Sequence, residues 1–236
     1  MTPARERLLA RTGAIIPAYR EAPFIGAVVG GLKQYIDQVI VVDDGSPDET
    51  ADMAERTGAL VLRHKHNQGK GAAIQTGLRA LLRTDVERFF LLDGDGQHDP
   101  REIPRFLEAA DSSKAALVVG NRMNDLSTMP AIRRWTNRFM SWQIGALCGQ
   151  ELPDSQCGFR LVHRDLIPLL LRCSSGFDFE TETLLLAARE GNRIEFVPIQ
   201  TIYRNETSKI RPVRDTIRYF KLMARYAWGG QKKVSE

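Results

Sequence analysis

The chain has 236 residues, 43% of them hydrophobic and 26% charged, which is enough apolar material for a full core and excludes global disorder. Its 33 basic and 29 acidic residues leave a formal net charge of +4, too mild to indicate a nucleic-acid partner. The three cysteines, Cys148, Cys157 and Cys173, lack C-x-x-C spacing, so they read as reduced thiols in a cytoplasmic protein and not as a zinc site or disulfide framework.

No apolar run approaches the ~20 residues of a membrane-spanning helix. Met1 to Thr12 carries charge without an apolar core, so no signal peptide is expected. The elements then follow in order. Gly13 to Ala18 reads as a strand and Pro23 to Ile36 as a helix with Phe24, Val28, Leu32 and Tyr35 or Ile36 on one face. Val39 to Val42 is a continuous apolar strand. Ser46-Pro47-Asp48-Glu49 has the pattern of a helix start, with Ser46 as N-cap. Ala59 to Leu62 is a short strand, Lys70 to Leu82 a helix and Phe89 to Leu92 a strand. Asp99-Pro100-Arg101-Glu102 repeats the start signal for a helix through Ala109, and Ala115 to Gly120 is a strand. Helical patterns return over Arg133 to Gly149, Asp165 to Arg172, Phe179 to Glu190 and Val213 to Trp228, with a strand over Ile194 to Tyr203. Short apolar strands that alternate with helices predict a mainly parallel, Rossmann-like α/β sheet covered on both faces. Right-handed crossovers place the strand C-termini along one edge.

Two acid clusters sit at that edge. Asp93-Gly94-Asp95-Gly96-Gln97 follows Arg88-Phe89-Phe90-Leu91-Leu92, and Asp43-Asp44 follows Val39-Ile40-Val41-Val42. Asp and Gly after a strand are ordinary turn residues. The alternative is a hard divalent cation, Mg²⁺ or Mn²⁺, held by Asp93 and Asp95 with Gln97 as a further oxygen ligand and completed by substrate phosphates. An EF-hand is excluded, because the sixth position from Asp93 is His98 and the twelfth is Pro104. Asp43-Asp44 suits either a turn-and-cap device or a carboxylate that accepts hydrogen bonds from a nucleobase or ribose. Gly69-Lys70-Gly71 suits a helix start or a phosphate contact, but Walker spacing is absent, and no G-x-G-x-x-G follows a strand. Arg122, Arg160, Arg204 and Lys209 are solvated charges singly; as a set they would neutralise a diphosphate.

Taken together these residues resemble family 2 glycosyltransferases of the dolichyl- or polyprenyl-phosphate mannosyltransferase type. The matching pieces run from Ile15-Ile16-Pro17-Ala18-Tyr19-Arg20-Glu21 through Ile40 to Thr50, Asn67 to Gly71, Leu92 to Pro100, Val119 to Arg122 and Asp154 to Leu161, to Tyr203 to Lys209. The resemblance implies a GT-A fold in one domain over residues 1–236, with a nucleotide-sugar-binding half (13–122) and an acceptor-binding half with C-terminal amphipathic surface helices (123–236). By matching positions it assigns Pro17, Tyr19, Glu21, Val42 and Asp44 to the nucleoside. Asp93, Gly94, Asp95 and Gln97 go to the metal and donor diphosphate, and Arg122, Arg204 and Lys209 to phosphates. Asp95, Asp154 and Arg160 go to the catalytic region. Gly94 stands where family members often have Ala.

The implied reaction moves a hexose with inversion from a nucleotide sugar, of GDP-mannose or UDP-glucose type, to a polyprenyl or dolichyl phosphate. Such an acceptor is its own nucleophile, since a phosphate monoester's second pKa is about 6, and none of His64, His66, His98 and His163 sits in an obvious base motif. Trp135, Phe139 and Trp142 recur at helical spacing near Arg134 and Arg138. In the terminal helix Val213, Ile217, Phe220 and Ala224 run beside Arg214, Arg218, Lys221 and Arg225. Both patterns suit core packing with a solvated basic edge or attachment to an anionic membrane surface. The expected location is therefore peripheral, at the cytoplasmic face of a membrane, and compatible with a small integral membrane partner. The alternatives are a family 2 enzyme acting on a soluble glycan or cell-wall precursor, and a non-catalytic nucleotide-sugar-binding scaffold. A sugar-1-phosphate nucleotidyltransferase would need a Gly-rich loop where Pro17 to Ala22 stands, and a haloacid-dehalogenase-type phosphatase would need Thr or Val at Gln97.

Overall fold

The computed structural model describes residues 11–123, 131–174, 176, 178–202 and 212–228, with the side chains of 133, 212–217 and 228 outside that set. Its strands are β1 (Thr12–Ala18), β2 (Gln38–Asp43), β3 (Leu60–Arg63), β4 (Arg88–Leu91), β5 (Leu117–Asn121), β6 (Arg160–His163) and β7 (Ile194–Pro198). Its helices are α1 (Ala22–Leu32), α2 (Thr50–Arg56), α3 (Lys70–Leu81), α4 (Ile103–Ser113), α5 (Ala131–Cys148), α6 (Ile167–Leu170), α7 (Phe179–Arg189) and α8 (Pro212–Trp228). The strands form one sheet in the order β3-β2-β1-β4-β6-β5-β7.

The interiors of the central strands are apolar, as expected of a sheet covered on both faces, and all seven residues of β1 are buried. β1 pairs in parallel with β2, Pro17 opposite Val42, and with β4, Ile15 opposite Leu91. The chain leaves β1 toward β2 and β3 on one side and reaches β4 on the other, so the switch in strand order falls between β1 and β4. In open α/β sheets the crevice beyond the strand C-termini at such a switch is where ligands bind. Asp43-Asp44 and Asp93 both lie on that rim.

The sheet is mixed. β6, for which the sequence pattern gives no strand, is antiparallel to both β4 and β5. One helix end and one helix start also differ from expectation. α1 ends at Leu32, and its buried face is Ile25, Val28, Val29 and Leu32, with Phe24 only partly covered. Ser46 does not cap α2, which begins at Thr50. Asp43 instead accepts from Ser46 N (3.3 Å), Ser46 Oγ accepts from Arg20 N (2.9 Å), and Asp48 takes the Thr50 hydroxyl at 2.5 Å. Asp99 does begin its helical segment, accepting from Arg101 N at 2.9 Å.

Candidate active site

Asp44 is a pin for the following loop. Its Oδ1 accepts from Gln68 N (2.9 Å) and faces His64 Nδ1 (2.7 Å), and its Oδ2 accepts from Gly69 N (2.8 Å). Gly45 makes the sharp exit from β2 at φ +73°, where a Cβ would lie 2.7 Å from the His66 carbonyl carbon. The loop 64–69 is thereby held against the rim, and α3 starts at a fixed place with Lys70 in its first turn. Pro17 and Val42 are buried side by side, Glu21 is buried with its N–H donated to Thr50 Oγ1 at 2.8 Å, and Tyr19 is half-buried under the Arg20 guanidinium.

A lysine in the first turn of a helix works against the macrodipole. Lys70 is held there by two carboxylates: its Nζ is 2.5 Å from Asp93 Oδ1 and 2.5 Å from Glu180 Oε1. Burial opposes charge on both Lys70 and Asp93, but the mutual attraction prevails. The ammonium is held above the ordinary lysine range by Asp93 and Glu180, and Asp93 below the ordinary carboxylate range by Lys70. Glu180 carries no signal in the sequence as a site residue, and Lys70 carries one only as a helix start or phosphate contact. No local pattern links positions 70, 93 and 180; the topology brings them together.

The Asp93–Gln97 turn is compact, with Gln97 N donating to Asp95 Oδ1 at 3.0 Å. Gly94 fits where a Cβ would meet Ile25 Cδ1 at 3.2 Å. Gly158 keeps open the space before Asp93, since a Cβ there would lie 2.7 Å from Asp93 Oδ2. Two carboxylates and an amide oxygen within five residues, beside that space, form a hard donor set that fits Mg²⁺ or Mn²⁺. Among the described residues no group of three or more His, Cys, Asp or Glu side chains gathers into a ready-made cage. An ion here would complete its shell from phosphate and water.

Arg122, just past the end of β5, pairs with Asp154. The Arg122 guanidinium forks onto the carboxylate, Nε to Oδ2 at 2.8 Å and Nη2 to Oδ1 at 3.0 Å, and Arg122 N also donates to Oδ2 at 3.1 Å. Asn137 Nδ2 of α5 (2.9 Å) and Gln156 N (3.1 Å) complete the shell around Oδ1. Asp154 is 0% exposed. Burial pushes its pKa up, but Arg122 and these donors outweigh it and hold the carboxyl below the usual range.

Arg160 is turned away from solvent, at 1% exposure, and donates to three carbonyls: Cys157 (2.9 Å), Glu180 (2.8 Å) and Ser155 (3.2 Å). It braces the start of α7, and with it Glu180, against the 155–157 segment. Arg204 and Lys209 lie outside the described residues. β7 ends at Pro198, short of the expected Tyr203, and the segment after it is tethered to the acidic turn: Ile202 N donates to Gln97 O at 3.0 Å, and His98 and Thr201 form an isolated β-bridge. His98 is buried against Phe159, and burial, only partly offset by Asp93, lowers its pKa to about 4. His64 faces Asp44 and Thr76 Oγ1 (2.9 Å).

α5 and α8 pack beside this half. α5 carries an inverted pattern: Asn137, Ser141 and Ile144 face inward, while Ile132, Trp135, Phe139 and Trp142 are 74%, 73%, 52% and 69% exposed. On α8 the buried side chains are Tyr219, Leu222, Met223 and Tyr226, leaving Phe220, Lys221 and Arg225 outside. The expected stripe through Phe220 and Ala224 is thus displaced by the bulkier set one position over; Val213, Arg214 and Ile217 have no described side chains. No helix among the described residues is long and apolar enough to cross a membrane.

The architecture is that of the GT-A class. The crystal structure of glucosyl-3-phosphoglycerate synthase from Mycobacterium tuberculosis with Mn²⁺, uridine diphosphate and phosphoglyceric acid matches over 95% of this chain and 81% of that one. Its TM-score is 0.72 at 19% identity, a likeness of fold alone. The chain belongs to Glycosyl transferase family 2, whose family model matches residues 14–169. Among its relatives, undecaprenyl-phosphate mannosyltransferase of Micrococcus luteus is 32% identical over 207 residues, covering 82% of this chain and 84% of that one. The UDP-N-acetylglucosamine–dolichyl-phosphate N-acetylglucosaminyltransferase of Methanococcus voltae is 29% identical over 212 residues, covering 80% and 84%. Both relatives are named for lipid-phosphate acceptors, and their names differ in the sugar.

Proposed function

We propose that this chain is an inverting, divalent-metal-dependent hexosyltransferase that moves a sugar from a nucleotide sugar to a polyprenyl phosphate. The observation that carries the reading is the rim between β1 and β4, where Lys70 bridges Asp93 of the acidic turn to Glu180 and the Arg122 guanidinium, paired with Asp154, adds its positive charge to the field at Asp93. Asp93, Asp95 and Gln97 would hold Mg²⁺ or Mn²⁺. When bound, the ion supplies positive charge to the departing diphosphate. Pro17, Tyr19, Glu21, Val42 and Asp44 frame the nucleoside side of the crevice, Asp44 by fixing the 64–69 loop. Arg122 faces phosphate with its fork set by Asp154, and Arg160 acts through the backbone it braces. Arg204 and Lys209 are assigned to the same phosphates from their place in the family pattern. His98, buried with its pKa near 4, is a poor general base at neutral pH, and both ring nitrogens of His64 are already engaged, Nδ1 with Asp44 and Nε2 with Thr76 Oγ1. An acceptor that arrives already ionised suits such a site better than an alcohol does.

The direct test is nucleoside diphosphate release by the purified chain with Mn²⁺, using GDP-mannose, UDP-glucose and UDP-N-acetylglucosamine, each with and without a short polyprenyl phosphate. Lipid-phosphate-dependent release is the expected result. Turnover on a soluble glycan and none on the lipid phosphate would overturn the acceptor assignment.

The exposed aromatic ridge of α5 supports a peripheral position on an anionic membrane surface, because Trp135 and Trp142 beside Arg134 and Arg138 match the chemistry of a lipid–water interface. A Trp135→Ser/Trp142→Ser double variant should lose at least about tenfold in partition to anionic vesicles by co-sedimentation. Its melting temperature should barely change, since both rings are exposed. Undiminished vesicle binding would remove α5 from the attachment surface.

A further inference from the structure

We propose that Lys70 is the resident counter-ion of the acidic turn. Its ammonium holds Asp93 in the metal-free chain and yields that carboxylate to an incoming divalent cation, falling back on Glu180 and onto the donor's diphosphate. The inference rests on the metal reading above. Lys70 Nζ touches Asp93 and Glu180 at equal distances of 2.5 Å, so it has a second carboxylate to keep when the first is taken. Glu180 is fixed independently, its backbone carbonyl held by Arg160 Nη1 at 2.8 Å. The origin of Lys70 is fixed too, by Asp44 pinning Gly69 N. The ammonium occupies Asp93 Oδ1, while the space before Oδ2 is kept clear at Gly158. A cation that reaches Asp93 therefore meets a like charge on the same carboxylate, and like charges a few ångströms apart in a partly buried crevice repel strongly. A diphosphate relieves that repulsion by giving the ammonium new oxygens. Metal and nucleotide binding are then coupled through one side chain, and the coupling is reciprocal.

The two neighbours of the site predict opposite effects, although neither is a metal ligand. Titration calorimetry of the full chain with Mn²⁺ alone should show Lys70→Met binding about tenfold tighter than the native chain and Glu180→Gln several-fold weaker. In saturating Mn²⁺, Lys70→Met should bind GDP or UDP, whichever the native chain takes, about tenfold more weakly. A merely structural lysine would not raise metal affinity and lower nucleotide affinity together. Lys70→Met with native circular dichroism and unchanged or weaker Mn²⁺ binding overturns the proposal. Should that variant not fold, Glu180→Gln decides it, and native Mn²⁺ affinity there overturns it equally. A native chain that binds no Mn²⁺ would sink the metal reading itself, a result distinct from either variant outcome.

Discussion

An Asp95→Asn chain is expected to transfer sugar roughly 10²–10³-fold more slowly at limiting Mn²⁺, the size of effect seen when one electrostatic contact to a developing charge is lost. Its fold should stay intact. Asparagine keeps a side-chain oxygen for the bond from Gln97 N, so the turn keeps its 3.0 Å closure and only the charge is removed. Asp95 is the better probe than Asp93, because Asp93 also neutralises Lys70 at 2.5 Å, and its loss would disturb the ammonium, Glu180 and the metal together. Raising Mn²⁺ should restore part of the Asp95→Asn rate, since weakened affinity can be offset by mass action. Initial rates across a Mn²⁺ series, with thermal melts of both chains, check the expectation. Activity within threefold of native at every Mn²⁺ concentration would show that the second carboxylate of the turn plays no part with the ion.

The features that were legible beforehand are the ones written locally. Ile40-Val41-Val42 and Phe89-Phe90-Leu91 are uninterrupted apolar runs with turn residues behind them, so their place in a covered sheet and the acids at their ends could be read from composition alone. Asp99 could be read as a helix start because its partner is two residues away. Ser46 has the same pattern and failed, since its hydroxyl is taken by Arg20 N, 26 positions earlier, and its N–H by Asp43. β6 was missed for a related reason. Arg160-Leu161-Val162-His163 is four residues long and begins with a charge, and its antiparallel place between β4 and β5 depends on a chain reversal that periodicity does not encode. Arg160 itself illustrates the limit. A guanidinium has five donors and no acceptor, and a sequence cannot say whether phosphates or backbone carbonyls will receive them. Here three carbonyls do, at 1% exposure. Lys70 and Glu180, 110 positions apart, meet only because α3 and the start of α7 converge on the end of β4. The family pattern named the strand-end acids; the charge that balances one of them became visible only in three dimensions.

The largest stability effect should come from Asp154→Asn, a loss of about 3–5 kcal/mol at neutral pH, as is usual when one partner of a buried ion pair is removed. All its described contacts run from donors: two from the Arg122 side chain, one from Arg122 N, one from Asn137 and one from Gln156 N. An amide in its place turns a donor of its own toward that set and leaves Arg122 without this carboxylate. The pH dependence has a definite sign. Arg122 and the surrounding donors overcome burial and depress the folded pKa of Asp154. Its stabilisation is therefore complete above the unfolded value of about 3.9 and is lost as pH falls through the lower folded value. Native and variant chains should differ most at neutral pH, and their unfolding free energies should converge below about pH 4. The remaining acid sensitivity of the variant would come from carboxylates such as Asp93, whose folded pKa is lowered as well. Urea denaturation from pH 7 to pH 3 measures the convergence. A gap that stays constant over that range would mean that the lost stability is not that of an ionised Asp154. The same experiment bears on function, because Asn137 ties this carboxylate to α5, whose outer face carries the exposed aromatic ridge, and Asp154 in turn sets the fork of Arg122. If phosphate is gripped by the outer edge of the guanidinium that this fork orients, Asp154→Asn chains that remain folded should show a raised KM for the phosphate-bearing substrates before any fall in kcat.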